Sequence, residues 1–367
     1  MRMKKSKNTS SNNASSLSGR TVIGLDIDQG AVRMVQLSGK GAGQAQVDKY
    51  AIVRLPANVV SGNEVVDFDQ LVAHLQQCYN KLKTSCKRVN LALPAGAVTI
   101  DEGIRFNPND GDISLQNLIE AEVSRIGALD EMNYDWQVLS QDGRSGEQSV
   151  LMVAAKTDDV NRYSDLLDEI GLTAINVDVD LFAIANAFSY ADSIDSGEFA
   201  HERIALFDVG DVNTKALIME NGQILYKHEM NFGLEQLLQL IQRTYQVSES
   251  EALNMALSGR NRPADYQVSV MDNFNMQIAQ EVQRTMQFFF ATRNVGQSEV
   301  IKQIFISGSG CIPQSGLTES VYAQTGVMTQ QIAPISFAIS KIKDGAQFAS
   351  DENSLTKAFG LALRGLV

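Results

Sequence analysis

The chain of 367 residues has no apolar run near the roughly 20 needed to cross a bilayer, so its hydropathy marks no membrane-spanning helix. Its 3 cysteines, Cys78, Cys86 and Cys311, are too few and too scattered for a disulfide framework or a close-spaced zinc cluster. With only 3 histidines, a histidine-ligated metal site is not expected either. This cysteine usage points to a reducing compartment, with the cytoplasm as the expectation. Basic residues are the scarcer charge: 31 Lys and Arg stand against 43 Asp and Glu, for a net charge of −12. That balance excludes an electrostatic nucleic-acid binder. What the chain does have is 44% hydrophobic residues, distributed along its length. Global disorder is therefore excluded, and two or three packed units are affordable at this size.

The few bases are unevenly placed. Residues 1–20 hold Arg2, Lys4, Lys5, Lys7 and Arg20 with no acid, amid Ser and Asn. Without the apolar core of a signal peptide, the segment reads as a disordered basic tail. Beyond it, Thr21–Asp26, Ala31–Ser38 and Val47–Leu55 read as strands, and Asp67–Lys83 has helical spacing with one buried face. Val89–Leu93 is a further strand, stopped by Pro94. Residues 94–172 read as a small separate unit: helices near Leu115–Ile126 and Asp159–Ile170, strands Asp135–Ser140 and Ser149–Ala155. Val177–Val179 and the apolar helix Leu181–Phe188 return to the first unit. The opening pattern then recurs: strands Ile204–Phe207 and Thr214–Met219, an Asn221-Gly222 hairpin, strand Ile224–Met230. Helices Leu234–Tyr245, Glu249–Leu257 and Asp272–Thr292 follow, then strand Ile304–Ser307, a helix to Thr325, and a last helix Lys357–Leu363. Acids ending the first strand of each half, Asp26 and Asp208, are 182 positions apart, which makes this an internal duplication.

Two turns carry the chemistry. Gly24-Leu25-Asp26-Ile27-Asp28-Gln29-Gly30 and Phe207-Asp208-Val209-Gly210-Asp211-Val212-Asn213-Thr214 each place an aspartate at the end of a buried strand, before a tight turn containing glycine. Such a turn can aim backbone N–H groups at a phosphate, while the aspartate holds magnesium directly or through water. Taken singly, each is an ordinary hairpin cap, since Asp and Gly dominate turns. Facing each other in duplicated halves, they would clamp a triphosphate. Gly308-Ser309-Gly310 after the Ile304–Ser307 strand is small enough to admit a flat ring against the backbone, or is a plain strand-to-helix turn.

These loops resemble the phosphate-1, phosphate-2 and adenosine segments of the actin-like ATPase superfamily. Gly24–Leu37, Asp178–Phe188, Phe207–Gly222, Arg284–Ala291 and Ala358–Gly365 are similar to the FtsA/PilM family within it, over residues 21–367. The resemblance implies an α/β fold of two actin-like, ribonuclease H-like duplicated domains, with an extra small subdomain. The implied division is 21–93 with 173–202 for the first domain, and 94–172 for the small subdomain. Residues 203–230 with 293–367 form the second domain, its last helix returning toward the first, and 231–292 a helical subdomain. The resemblance further implies ATP and Mg2+ between the halves. Asp26 and Asp208 match the magnesium-organising aspartates; Asp28, Gln29, Gly30, Gly210, Asp211, Val212, Asn213 and Thr214 match the phosphate loops. Gly308, Ser309 and Gly310 match the adenosine loop, Glu281 and Arg284 sit where relatives contact adenosine, and Asp180 matches a residue that orients water. Asp28 departs from the Gly or Ser usual in relatives, and Gly30 comes two residues late. An added carboxylate beside phosphates implies slow turnover at most.

On this resemblance the chain is a nucleotide-binding adaptor of a type IV pilus inner-membrane platform, cytoplasmic and peripheral. It would bind the N-terminal peptide of PilN near the small subdomain, meet PilO and PilP indirectly, and contact the extension motor ATPases. The equivalent adaptor of an MSHA pilus or type II secretion system is a close alternative. A small-molecule kinase on the same fold is the rival, although no convincing base for phosphoryl transfer is evident. A membrane-attached filament protein of the FtsA kind would need a basic amphipathic C-terminal helix; the residues after Leu363, Arg364-Gly365-Leu366-Val367, leave no room for one.

Overall fold

The structure, a computed structural model, describes residues 21–109, 113–293 and 300–366, so the basic segment 1–20 lies outside the described residues. Val22–Ile27 and Ala31–Ser38 are buried at nearly every position, as strands covered on both faces must be. They form β1 (Val22–Ile27) and β2 (Ala31–Ser38), antiparallel across the Asp28–Gly30 turn. β3 (Gln46–Arg54) extends the meander, and a short hairpin of β4 (Val60–Ser61) and β5 (Glu64–Val65) leads into α1 (Phe68–Leu82). Asp67 opens α1 by accepting the Gln70 N–H at 3.0 Å. Leu71, Leu75, Cys78, Tyr79 and Leu82 recur at helical spacing and face the core. β6 (Arg88–Leu93) then lies parallel to β1.

The small unit is a three-stranded antiparallel sheet of β7 (Val98–Phe106), β9 (Gln148–Lys156) and β8 (Met132–Gln141), in that order, with α2 (Leu115–Ser124) packed on it through Ile119 and Val123. β7 occupies a stretch where the sequence pattern marks no element. It is mostly half-exposed, and its register shifts between Asp101 and Ile104, so the alternation that marks a strand is lost. A second correction concerns α3 (Thr157–Glu169), read as part of the 94–172 unit. Its Val160, Tyr163, Leu166 and Leu167 pack into the core shared by β1, β6 and α1, because that amphipathic face is the one the larger sheet leaves to be covered. β10 (Thr173–Val179) returns parallel to β6, and α4 (Asp180–Asp195) follows, longer than its apolar stretch alone indicates.

The second half repeats the first. β11 (Ile204–Val209), β12 (Thr214–Glu220) and β13 (Gln223–Met230) form an antiparallel meander; β14 (Gln303–Ser307) joins β11 in parallel, and β15 (Thr329–Gln331) joins β14. The sheet orders β3-β2-β1-β6-β10 and β13-β12-β11-β14-β15 are the same walk taken twice. Helices α5 (Leu234–Tyr245), α6 (Glu249–Leu253) and α7 (Asp272–Arg293) lie between β13 and β14, and α8 (Leu317–Thr325) precedes β15. α6 stops short of Leu257 because the chain widens into a π turn over Asn254–Ser258 before the left-handed Gly259.

The chain then crosses back. β16 (Ile339–Ser340) adds to the edge of the first sheet beside β3, α9 (Gly345–Asp351) follows, and α10 (Thr356–Leu363) packs on β1, β2 and α4. Its Phe359 meets Tyr190 of α4 edge-on at 5.3 Å, and Phe188 of α4 meets Phe305 of β14 at 4.7 Å, so α4 ties α10 to the second sheet. Glycine permits the closest approaches: a Cβ at Gly360 would lie 1.9 Å from the Ala183 carbonyl oxygen, and one at Gly24 1.9 Å from that of Ala358.

Candidate functional site

The turns that end β1 and β11 do come together. They touch: a Cβ at Gly30 would lie 2.4 Å from Asp211 Cβ, and one at Gly210 3.4 Å from Asp28 Oδ2. Register places a base opposite each strand-ending acid. Asp26 pairs across the ladder with Arg33, and Asp208 with Lys215, seven positions on in both halves. The bases serve a wider network. Arg33, 2% exposed, reaches Asp26 at 3.4 Å and Asp28 at 4.0 Å with one nitrogen and donates to Asp211 of the second half with the other. Arg54, at the end of β3, grips the second Asp211 oxygen at 2.5 Å. Lys357 of α10 lies 2.7 Å from Asp28 Oδ2 and 3.2 Å from Asp26 Oδ1. Asp180, first residue of α4, accepts the Ala95 N–H at 3.1 Å and pairs with Lys215 at 3.2 Å, and Lys215 also faces Glu229 at 3.6 Å.

Electrostatics follow from burial and these partners. Desolvation works to raise Asp28, but Lys357, then Arg33 and Lys215, outweigh it and hold Asp28 well below the usual range. Asp211 is likewise lowered, by Arg33 and Arg54 against desolvation. At Asp26 and Asp208 desolvation wins, and both are raised; Asp208 accepts the Ser307 hydroxyl at 2.9 Å. Burial works to lower the Lys357 ammonium, yet Asp26, Asp28 and Asp208 leave it well above its ordinary value.

Three of the N–H groups expected to cradle phosphates are used within the turns. Asp28 N–H donates to Ala31 O at 3.0 Å, Gln29 N–H to Asp28 Oδ1 at 2.7 Å, and Gly210 N–H to Asn213 O at 2.9 Å. The N–H groups opening α5, Leu234 and Glu235, bind the Gly210 and Asp211 carbonyls at 3.0 and 2.8 Å. Asn213 donates its amide to Glu229, Thr214 its hydroxyl to Phe232 O at 2.6 Å, and Val212, just before them, is half-buried. In the third loop, Gly308 N–H binds Asn353 O at 3.0 Å and Gly310 N–H binds Val209 O at 2.8 Å, so the loop rests on the end of β11. Its Ser309 hydroxyl is buried without a partner among the described residues. Glu281 and Arg284 pair with each other at 2.8 Å on one turn of α7, Arg284 exposed.

The pocket lined by Asp26, Asp28, Asp180, Asn213, Lys215 and Lys357 is about 30 Å³, against the roughly 300–1,000 Å³ of cofactor sites. Among the described residues no three His, Cys, Asp or Glu side chains converge to hold a metal ion. The residues present therefore do not fit magnesium ATP in this cleft. Arg33, Arg54, Lys215 and Lys357 are not among the residues the motifs single out. Their signal was available: each of Arg33, Lys215 and Lys357 is a lone charge inside an otherwise apolar buried run.

A larger opening lies beside the cleft. A groove of about 580 Å³ runs between the small sheet and the main body. One wall comes from Glu102 and Arg105 of β7, Gln137 and Leu139 of β8, and Leu151 of β9; the other from Phe182, Ala185 and Asn186 of α4 and Gln223–Leu225 of β13. Arg364 lies in it, its Nε 2.6 Å from Asp178.

Two sheets of identical walk, with a small unit inserted in the first half and a helical one in the second, define the actin-like ATPase fold. A family model described as type IV pilus assembly protein PilM matches residues 24–366, and the chain belongs to that family. It is similar to a solved PilM-PilN type IV pilus biogenesis complex, with 19% identity, a TM-score of 0.74, and coverage of 94% of this chain and 98% of that one. It is also similar to the ethanolamine utilization protein EutJ from Carboxydothermus hydrogenoformans, with 14% identity, a TM-score of 0.57, and coverage of 94% and 89%. Among the described residues no helix is long and apolar enough to cross a membrane.

Proposed function

We propose that this protein is an adaptor of the type IV pilus assembly platform that holds the N-terminal segment of a PilN-type partner, extended, in the groove between the small sheet and α4. The observation that carries this reading is the groove itself. It is about 580 Å³, mixed in chemistry, and bordered by β13, the edge strand of the second sheet. Peptides recognised in this way gain main-chain contacts from a sheet edge and specificity from side-chain pockets. Leu139, Leu151, Phe182 and Ile224 offer apolar surface, and Gln137, Asn186 and Gln223 offer amides that pair with a peptide backbone. The similarity to a solved PilM-PilN type IV pilus biogenesis complex supports the choice of partner. Contacts with PilO and PilP would be indirect, through the partner, and would place the protein at the inner face of the membrane. ATP and magnesium are not part of this reading, since buried ion pairs occupy the turns expected to hold them, and the same pairs weigh against the kinase alternative.

The test is a fluorescence titration of a labelled N-terminal PilN peptide into the full chain. Leu139→Asp and Phe182→Asp, on opposite walls, should each weaken binding at least about tenfold. Phe288→Asp, on exposed α7 surface away from the groove lining, should leave it unchanged. Wild-type affinity in both groove variants refutes the assignment.

A further inference from the structure

Asp28 and Asp211 put a carboxylate in each of the two turns that the actin-like fold uses to cradle a phosphate chain. Neither carboxylate is left facing empty space. Asp211 reaches out of the second half and is gripped by two guanidiniums of the first, from Arg33 and Arg54. A carboxylate held by converging guanidiniums uses the planar, forked donors with which arginine holds a phosphate. Lys357 brings an ammonium against Asp26 and Asp28, in the place where a divalent cation would answer the strand-ending acids.

We infer that this chain closes its interdomain cleft with its own charges and takes no nucleoside triphosphate there, Asp211 standing in for a phosphate group and Lys357 for the metal. Three further observations converge on this. The two turns are in contact, the N–H groups of Asp28, Gln29 and Gly210 are used within the loops, and the pocket beside Asp26, Asp28, Lys215 and Lys357 is only about 30 Å³. A nucleotide could enter only by parting buried charges that already satisfy one another, and parting them leaves each uncompensated. In a nucleotide-gated relative, closure depends on ligand; here the ligand's two functions are written into the sequence, and the closed arrangement is permanent.

The inference is tested on the full chain with magnesium ATP and magnesium ADP as probes. Equilibrium dialysis against labelled nucleotide should show no saturable binding up to about 5 mM, where a nucleotide site of even 0.1 mM affinity would be about 98% filled. Saturable binding in that range overturns it. Hydrogen exchange reads the lock itself. Asp211→Asn should speed exchange in residues 28–31 and 210–214 by at least about tenfold, while the small sheet of β7, β8 and β9 stays protected and reports that the fold persists. Arg54→Gln, which removes the more exposed of the two guanidiniums, should give a smaller increase at the same segments. Wild-type exchange at both turns in both variants would mean that these charges do not hold the cleft, and the inference falls.

Discussion

Replacing Gly360 by alanine sets two effects of opposite sign against each other. Gly360 lies inside α10, where alanine is favoured over glycine by about 1 kcal/mol on helix propensity alone. The structure opposes the change. The added Cβ would sit 1.9 Å from the Ala183 carbonyl oxygen, 2.7 Å from its carbonyl carbon and 3.1 Å from its Cα. Ordinary non-bonded contact needs about 3.5 Å, so α10 and α4 must part by roughly 1.5 Å. The obstructing atoms are backbone and cannot rotate away. Separation would loosen Phe359 and Tyr190, which meet across this contact. Overpacking of this kind costs about 1–3 kcal/mol, occasionally more; taking the upper end, Gly360→Ala should lose about 2 kcal/mol net. Gly345→Ala, at the start of α9 with nothing within 4 Å of its added Cβ, should gain about 0.5 kcal/mol instead. Urea unfolding with an unchanged slope is the assay. If Gly360→Ala is as stable as the wild type, the close helix contact is not what fixes α10 in place.

Gly24→Ala meets the Ala358 carbonyl oxygen at the same 1.9 Å from within a strand, without a helix-propensity gain, and should cost more than Gly360→Ala in the same assay. Asp211 has its carboxyl lowered on folding, so its contribution is complete above the unfolded value near pH 3.9 and is lost as pH falls through the folded value. The stability gap between wild type and Asp211→Asn should therefore be widest near pH 7 and narrow steadily below about pH 4; a gap independent of pH would contradict the ion-pair assignment. Asp67→Ala removes the cap of α1 and should cost about 1 kcal/mol by chemical denaturation. Phe359→Ala, fully buried, should cost about 3–5 kcal/mol, and a loss below 1 kcal/mol would show that the site collapses around the deletion.

The duplication was legible because Asp26 and Asp208 each end an apolar strand before a Gly-containing turn, and both halves follow the same strand pattern. β7 was not, since Asp101, Glu102 and Gly103 interrupt it where its ladder shifts register. α3 was legible as a helix but not as a neighbour of α1; a hydrophobic face announces burial without naming the surface that buries it. In the cleft, the motifs single out the two turns but not the bases that meet their acids. The acids stand in a recognisable pattern, whereas Lys357 lies 329 positions from the carboxylate it meets, and only the return of α10 to the first sheet brings them together. A lone Lys between Thr356 and Ala358 in a buried helix was a local clue to an unseen partner.

That same return has a consequence for synthesis. β1 leaves the ribosome more than 300 residues ahead of the helix that covers it, α10, which spans residues 356–363. Until those residues emerge, Gly24 and its neighbours expose a face of the first sheet that nothing encoded earlier can seal. The second half, whose sheet and helices all lie between Ile204 and Gln331, can consolidate sooner than the half that precedes it. The order of maturation is thus expected to invert the order of translation, with the nascent first half dependent on chaperones until α10 emerges.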